Sequence, residues 1–231
     1  MEITPGKLYI VSTPIGNLGD ITFRAVDILK SVPMVAAEDT RHSKILLAHY
    51  DVSTPVISYY EHNRFSRIPK IIAHLNSGKD LAVITDAGTP GISDPAYKLI
   101  REALLHNITI ESIPGASASL AALVSSGLPT DRFLFEGFLP QKKGRVSRIS
   151  RVKDEQATLI YYESPKRLLR TLKQLLDLLG DRPAVVAREL TKLHEEIKRG
   201  TLSELISFYG AKPPKGECVI LVGKNDPNVY F

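Results

Sequence analysis

The stretch ITDAGTPGISDPA, residues 84–96, follows an apolar run and concentrates side chains that can accept hydrogen bonds. These side chains are Asp86, Thr89, Ser93 and Asp94. The stretch lacks the Lys-Ser/Thr pair of a phosphate-binding P-loop and the G-x-G-x-x-G spacing of a dinucleotide-binding loop. Its acceptors suit a ligand that is rich in hydroxyl and amine donors or that carries positive charge. The alternative is a structural turn in which Ser93 or Asp94 caps the next helix.

Four other predicted strands also end in polar residues. They are followed by STPIGNLGD at residues 12–20, EDTR at 38–41, ESPKR at 163–167 and RELT at 188–191. Helix capping and surface ion pairing are the alternative explanation at each strand end. Because loops beyond the carboxyl ends of parallel strands converge on one crevice, five such ends favour a functional site to which both halves of the chain contribute.

Short apolar runs alternate with helical patterns along the first half of the chain, which predicts a mostly parallel sheet with helices on its faces. The predicted strands are residues 8–12, 34–37, 55–58, 81–85 and 108–112, and the predicted helices are 22–30, 66–76 and 96–106. Small residues dominate 113–129, so we place a domain boundary there and predict domains at 1–116 and 117–231. The second half predicts another α/β domain, with strands at 133–138, 158–162, 183–187 and 218–222 and a helix at 165–179.

The composition is that of a globular protein, with 231 residues of which 43% are hydrophobic and 24% charged. No apolar run reaches the length of a membrane span and the first residues lack a secretory pattern, so we expect a cytoplasmic protein with no membrane partner. The single cysteine, Cys218, has no partner for an internal disulfide and lies in an apolar run, which predicts a buried structural residue. The six histidines have no metal-ligand spacing, so we predict no metal.

The net charge of +5 is unevenly distributed. Residues 141–153, QKKGRVSRISRVK, carry six basic residues and no acidic one. A block of one sign beside a loop is typical of contacts with a phosphate backbone, so we expect this segment to contact RNA. The alternative is a basic surface stretch without a partner.

Six segments together resemble the small-subunit ribosomal RNA methyltransferase I family. They are VSTPIGNLGDITFRA, AAEDTRHSKILL, ITDAGTPGISDP, PGASASLAAL, YYESPKR and ARELTKLHEE, and they follow the family order along nearly the whole chain. The resemblance implies the tetrapyrrole methylase fold, in which S-adenosylmethionine lies in a cleft between two α/β domains. It also implies a homodimer that methylates the ribose 2'-oxygen of a cytidine in the decoding region of 16S ribosomal RNA, with the assembled small subunit as its substrate.

The resemblance also assigns cofactor-binding positions. Gly88 and Thr89 stand in the cofactor loop of the fold, with Asp86 just before it and Ile92 after it. Pro14 follows the first strand, and Ser117 and Ala118 match the Pro-Gly-x-Ser/Thr segment. The positions expected to complete the pocket from the second domain are Tyr162, Leu190 and Gly216.

A ribose hydroxyl is a poor nucleophile while protonated, so a nearby base is expected. The candidate bases are Glu38, Asp39, Glu163 and Glu189, and the candidate cations for phosphate positioning or charge balance are Arg41, Lys166 and Arg167.

Two departures and two rival functions accompany this resemblance. The first loop reads TPIGNLGD rather than the G-x-G-x-G-D of tetrapyrrole-specific members, which disfavours a porphyrin substrate. Many family members continue beyond the last strand, whereas this sequence stops at VGKNDPNVYF. If that extension binds the ribosome, we expect this protein to bind RNA less tightly or through other contacts. The rivals are a tetrapyrrole methyltransferase and a non-catalytic RNA-binding assembly factor.

Overall fold

The computed structural model describes residues 4–231, which form two compact units. The first unit ends at Ser117 and the second begins at Ala118, one residue beyond the boundary expected from the sequence. Among the described residues, no helix combines the length and apolarity that a bilayer crossing requires.

The first unit is built on a five-stranded sheet with the order β3-β2-β4-β1-β5. Its strands are β1 (Leu8–Val11), β2 (Val35–Ala37), β3 (Val56–Ser58), β4 (Leu81–Ile84) and β5 (Ile110–Ile113). Its helices are α1 (Phe23–Ser31), α2 (Thr40–His49), α3 (Arg64–Asn76) and α4 (Ala96–Leu105), and a 3-10 turn spans Leu18–Asp20.

Every strand pairing in this first sheet is parallel, as the sequence predicts. β1 and β4 are buried along their whole length because apolar side chains pack on both faces of the sheet. Parallel strands all end at the same edge, and so the polar residues that follow β1, β2 and β4 lie at one edge of the sheet.

The second unit contains a mixed sheet with the order β6-β7-β10-β8-β9, in which β6 pairs with β7 in parallel and the other pairs are antiparallel. Its strands are β6 (Phe133–Phe138), β7 (Thr158–Glu163), β8 (Pro183–Arg188), β9 (Glu196–Thr201) and β10 (Cys218–Val222). Its helices are α5 (Ala118–Ser126), α6 (Arg145–Arg151), α7 (Pro165–Leu179) and α8 (Leu202–Ala211).

Helix α7 has the predicted bounds, with Pro165 in its first turn and Gly180 at its C-cap with a φ of 87°. Its apolar residues, including Leu168, Leu172 and Leu175, are fully buried in the core of the second unit. Cys218 is also buried there, and burial raises the pKa of its thiol to about 12, which suits the predicted structural role.

Strand β9 and helix α8 are not among the elements expected from the sequence. β9 reads EIKRGT and has one apolar side chain, because it is an edge strand whose residues are half-buried or exposed. α8 follows it directly through a capping box, in which the Thr201 hydroxyl accepts from the Glu204 N–H and the Glu204 carboxylate accepts from the Thr201 N–H.

A buried ionic network joins α6, β7 and α7. The Glu163 carboxylate is fully buried and lies 2.7 Å from the Arg167 guanidinium and 3.5 Å from that of Arg145. It also accepts a 2.6 Å hydrogen bond from the Thr171 hydroxyl, and Arg145 Nε donates to Gln174 at 2.6 Å. Arg145 therefore belongs to the interior, and the expectation that the whole 141–153 block faces RNA is wrong at this residue.

Loss of the Glu163 charge leaves two guanidinium groups without their shared buried carboxylate. We predict that Glu163→Gln lowers the free energy of unfolding by about 3 kcal/mol, because removal of one partner of a buried ion pair leaves the other charge buried without compensation. The matched control is Glu111→Gln, which removes an exposed pair with Lys7 and is expected to cost less than about 1 kcal/mol. Urea unfolding measures both, and equal losses for the two variants would contradict the structural importance of the network.

Candidate functional site

The loops after β1 and β4 are bonded to each other at the edge of the first sheet. Thr13 and Gly88 form an antiparallel bridge, with N–H to carbonyl distances of 2.9 and 3.1 Å. The Thr13 hydroxyl also donates to the Thr85 carbonyl at 3.0 Å. Gly88 has a φ of 83°, a value that favours glycine, and these bonds fix the backbone of the predicted cofactor loop.

Thr89 links this loop to the end of β5. Its hydroxyl shares a 2.9 Å hydrogen bond with the Ser12 hydroxyl and donates to the Ala116 carbonyl at 3.4 Å. The backbones approach closely here, because a Cβ on Gly115 would lie only 2.8 Å from the Ser12 Cβ. Three strand ends therefore meet around Thr89. Ser12 also belongs to this site, whereas the family resemblance assigns only Pro14 from the loop after β1.

Two carboxylates lie on the β2 side of the same edge. Glu38 accepts a 2.5 Å hydrogen bond from the Thr85 hydroxyl, and Asp86 accepts one of 3.0 Å from the Asp39 N–H. Burial raises the pKa of Asp86, and the neighbouring Glu38 charge raises it further. This part of the edge thus holds negative charge that a cationic ligand group would stabilise.

A small cavity of about 40 Å³ adjoins these groups. Its polar walls include Thr13, His42, Ser43 and Asp86. The Ser43 hydroxyl is buried and has no hydrogen-bond partner within residues 4–231. A buried hydroxyl without a partner costs free energy, so this group is a candidate for bonding to a water molecule or a ligand.

Ser43 and His42 are not among the residues singled out from the sequence. Both lie in the first turn of α2, within the segment AAEDTRHSKILL, and the packing of α2 beside the β4 edge places them at this cavity.

Asp94 has the structural role that was the alternative for this stretch. Both of its carboxylate oxygens accept from the Gly91 N–H, at 2.8 and 2.7 Å, and Oδ1 also accepts from the Ala96 N–H at 2.8 Å. It therefore closes the turn that starts α4. Ile92, a predicted cofactor contact, is exposed within this turn.

Asp39 and Arg41 form a pair with each other. Arg41 Nη2 lies 2.8 Å from Asp39 Oδ2, and the Arg41 N–H donates to Asp39 Oδ1 at 2.8 Å. The Arg41 side chain therefore holds the pKa of Asp39 far below its usual value. Asp39 caps α2 and is a weak base, which favours a structural role over the predicted catalytic one.

In the second unit, the predicted residues near the end of β7 have different environments. The Glu163 carboxylate has no exposed surface, which favours its structural network over proton transfer to a substrate. The Tyr162 hydroxyl accepts from the Ser119 N–H at 3.2 Å, and its ring packs edge-on against Phe135 and Phe138. Lys166 is exposed.

Glu189 lies in a strained turn after β8. Its φ is 51° and that of Thr191 is 65°, values that are unusual for residues other than glycine. The Glu189 carboxylate accepts from Lys192 Nζ and from the Glu217 N–H, both at 2.9 Å, and these contacts lower its pKa against the opposing effect of burial. A carboxylate held in this way is a poor base.

Gly216 makes room for that carboxylate. A Cβ on Gly216, whose φ is 83°, would lie 2.2 Å from the Glu189 Cδ. This contact is enough to explain why residue 216 is a glycine, and the explanation requires no bound ligand. Leu190, the third predicted contact in this unit, is buried.

No group of three or more His, Cys, Asp or Glu side chains within residues 4–231 is arranged to hold a metal ion.

The predicted residues that the structure brings together are those of the first unit, at the ends of β1, β2 and β4. Ser117 closes this unit, and Ala118 begins α5 of the second.

The chain is similar to known proteins over most of its length. Residues 7–206 match the family model of tetrapyrrole (corrin/porphyrin) methylases. A ribosomal RNA small subunit methyltransferase I from Synechocystis sp. is 51% identical over 94% of this chain and 79% of its own length. The protein of the same name from Thermotoga maritima is 46% identical over 95% of this chain and 99% of its own.

Solved structures share the fold at low identity. Diphthine synthase has a TM-score of 0.75 and 16% identity, with 95% of this chain and 90% of that one covered. Uroporphyrin-III C-methyltransferase from Thermus thermophilus, solved with S-adenosylhomocysteine, has a TM-score of 0.67 and 21% identity, with 94% and 97% covered. At these identities the likeness shows the fold alone. With two α/β units, a bonded strand-end loop and relatives at 46–51% identity, the chain belongs to the ribosomal RNA small subunit methyltransferase I family of tetrapyrrole methylases.

Proposed function

We propose that this protein transfers a methyl group from S-adenosylmethionine to the 2'-oxygen of a cytidine ribose in the decoding region of small-subunit ribosomal RNA. The observation that supports a methyltransferase site best is the edge formed by Glu38, Thr85, Asp86 and Thr89 in the first unit. The names of relatives at 46–51% identity support ribosomal RNA as the substrate. We further propose that the substrate is the assembled small subunit, that the protein acts in the cytoplasm and that it is a homodimer.

The residues of this edge fit the proposed cofactor. S-adenosylmethionine supplies an electrophilic methyl group on a sulfonium, and it carries amine and hydroxyl donors but no phosphate. Asp86 offers a carboxylate whose pKa is raised mainly by burial and further by the neighbouring Glu38 charge. Thr89 and the backbone carbonyls of the bonded loop offer further acceptors, and the Ser43 hydroxyl needs a partner.

Glu38 is the carboxylate that we assign to proton removal from the ribose hydroxyl. Of the four candidate bases, Asp39 pairs with Arg41, Glu163 with two arginines and Glu189 with Lys192. Glu38 is the one without a cationic partner in the described part of the chain, and its bonding partner is a neutral hydroxyl. The Thr85 hydroxyl would orient it, and most of the remaining rate would come from alignment of the reacting groups.

RNA binding is supported by exposed basic residues of the 141–153 block. Lys142, Lys143, Arg151 and Lys153 are exposed, in contrast to the buried Arg145. Arg148 is partly exposed and its Nε lies 2.6 Å from a Glu136 carboxylate oxygen. We therefore limit the proposed RNA contacts of this block to the four exposed residues.

Transfer of a labelled methyl group from S-adenosylmethionine to small ribosomal subunits that lack the modification tests the proposed function. We expect label in the RNA and, after alkaline digestion, in an alkali-resistant dinucleotide, because a 2'-O-methyl group blocks cleavage of the adjacent phosphodiester. Label in an alkali-labile nucleotide would contradict ribose methylation. Transfer to tetrapyrroles but not to RNA would contradict the substrate class.

Removal of the Glu38 charge tests the assignment of the base. We predict that Glu38→Gln lowers the single-turnover rate by about 100-fold with little change in cofactor affinity, since general-base catalysis contributes about 10²–10⁴-fold. The matched control is Glu189→Gln, for which we expect a rate within about threefold of wild type because Lys192 already holds that carboxylate. A large loss for Glu189→Gln together with a small one for Glu38→Gln would reverse the assignment.

A further inference from the structure

A second concave surface lies in the second unit, at the open edge of its sheet. It has a volume of about 240 Å³ and lies between the β8–β9 end, α8 and the loop before β10. We call it the α8 groove. Its lining residues are Arg188, Glu196, Phe208, Tyr209, Lys212, Pro213, Pro214 and Lys215.

The floor of the α8 groove is a fixed ion pair. Arg188 and Glu196 face each other in the β8–β9 register, with Nε and Oε1 3.5 Å apart. The Tyr209 hydroxyl donates to the same Glu196 oxygen at 3.2 Å, and Arg188 Nη1 donates to the Lys215 carbonyl at 3.1 Å. Arg188 Nη2 makes no hydrogen bond within residues 4–231 and can donate to a ligand.

The rim of the groove has an excess of positive charge. Lys212 and Lys215 are exposed, and neither forms an ion pair with a carboxylate in the described part of the chain. Lys198 Nζ lies 4.7 Å from the centre of the Phe208 ring. The one carboxylate of the lining, Glu196, is already paired with Arg188, so the charge left for a ligand is positive.

The walls of the groove favour a flat, anionic ligand. The Phe208 ring is half-buried and offers an aromatic surface, and the adjacent Pro213 and Pro214 form a rigid wall without N–H donors. Aromatic surfaces with nearby cations are typical of sites that stack the bases of single-stranded nucleic acid. At about 240 Å³, the groove is smaller than the roughly 300–1,000 Å³ of complete small-molecule pockets and so suits one part of a longer ligand.

We propose that the α8 groove binds a nucleotide of single-stranded RNA, with its phosphates at Lys212, Lys215 and Arg188 and its base beside Phe208. The proposal rests on the RNA substrate of the proposed function and adds a contact site outside the Glu38–Asp86 edge. The groove begins at the residues that flank the strained Glu189 turn and Gly216. RNA held there would therefore contact the turn that the family resemblance places in the site.

Reversal of the rim charges tests this proposal. The probe is a short fluorescein-labelled oligouridine, and its affinity is measured by anisotropy over a range of salt concentrations. We expect Lys212→Glu/Lys215→Glu to weaken binding by at least about tenfold and to reduce the slope of log Kd against log salt by about 1.4, as expected for two lost phosphate contacts. The control, Lys70→Glu/Lys79→Glu, changes the net charge by the same amount at exposed positions of the first unit and is expected to change affinity by less than about twofold.

A second variant tests the aromatic wall without a change in charge. Phe208→Leu keeps an apolar side chain and is expected to weaken oligouridine binding by at least about fivefold. Its thermal unfolding is compared with that of wild type to verify the fold. Should this variant not fold, the Lys212/Lys215 double variant still decides the proposal.

The outcomes separate this proposal from the proposed function. Equal loss of affinity in the two double variants, or no loss in either, would overturn the proposal that the α8 groove binds RNA. Methyl transfer by the wild type would at the same time leave the proposed function intact. Displacement of oligouridine by oligoglutamate at equal charge concentration would also overturn it, because the groove would then bind acidic peptides. Wild-type protein that neither binds nor methylates RNA would overturn both.

Discussion

The candidate site depends on the hydrogen bonds that join the ends of β1 and β4. Thr13 and Gly88 exchange two backbone hydrogen bonds, with N···O distances of 2.9 and 3.1 Å. The Thr13 hydroxyl adds a third bond between the loops by donating to the Thr85 carbonyl. These bonds orient Thr85 and Thr89, which in turn contact Glu38 and Ser12. The close approach is possible because Gly88 has a positive φ and Gly115 has no side chain to meet Ser12.

Ion pairing separates five acidic residues at the strand ends into two groups. Asp39, Glu163 and Glu189 have cationic partners and maintain local structure. Glu38 and Asp86 form no ion pair within residues 4–231, and burial raises the pKa of Asp86. Proteins keep such unfavourable groups at functional sites, where a ligand compensates them.

Much of the fold could be predicted from the sequence because β1, β4 and β10 are continuous apolar runs and α7 has a helical apolar period. The bounds of α7 follow from Pro165 and Gly180, whose backbone preferences are local. β9 could not be predicted, because an edge strand needs few apolar side chains.

The sequence also indicates which polar residues lie at the edge of the first sheet. Polar strand ends in the sequence indicate Glu38, Asp86 and Thr89, since parallel pairing brings such ends together. Sequence alone does not show which carboxylates have a cationic partner. Such partners come from contacts between distant positions, such as that of Arg145 with Glu163, 18 residues apart. The buried Ser43 hydroxyl also depends on packing, because nothing local distinguishes it from other serines in helices.

We assign the Asp86 carboxylate to binding of the cationic part of the cofactor. Because the folded-state pKa of Asp86 is raised, this group stabilises the folded protein fully below its unfolded-state pKa. This stabilisation is lost as the pH rises through the folded-state pKa. At neutral pH, Asp86→Asn removes this cost and keeps an oxygen for the Asp39 N–H.

Calorimetric titration with S-adenosylmethionine, paired with thermal unfolding of the free proteins, tests that claim most directly. We predict that Asp86→Asn binds the cofactor at least about tenfold more weakly than wild type while its melting temperature is no lower. Unchanged affinity, or a loss of affinity that accompanies a lower melting temperature, would contradict the assignment of Asp86 to the cofactor.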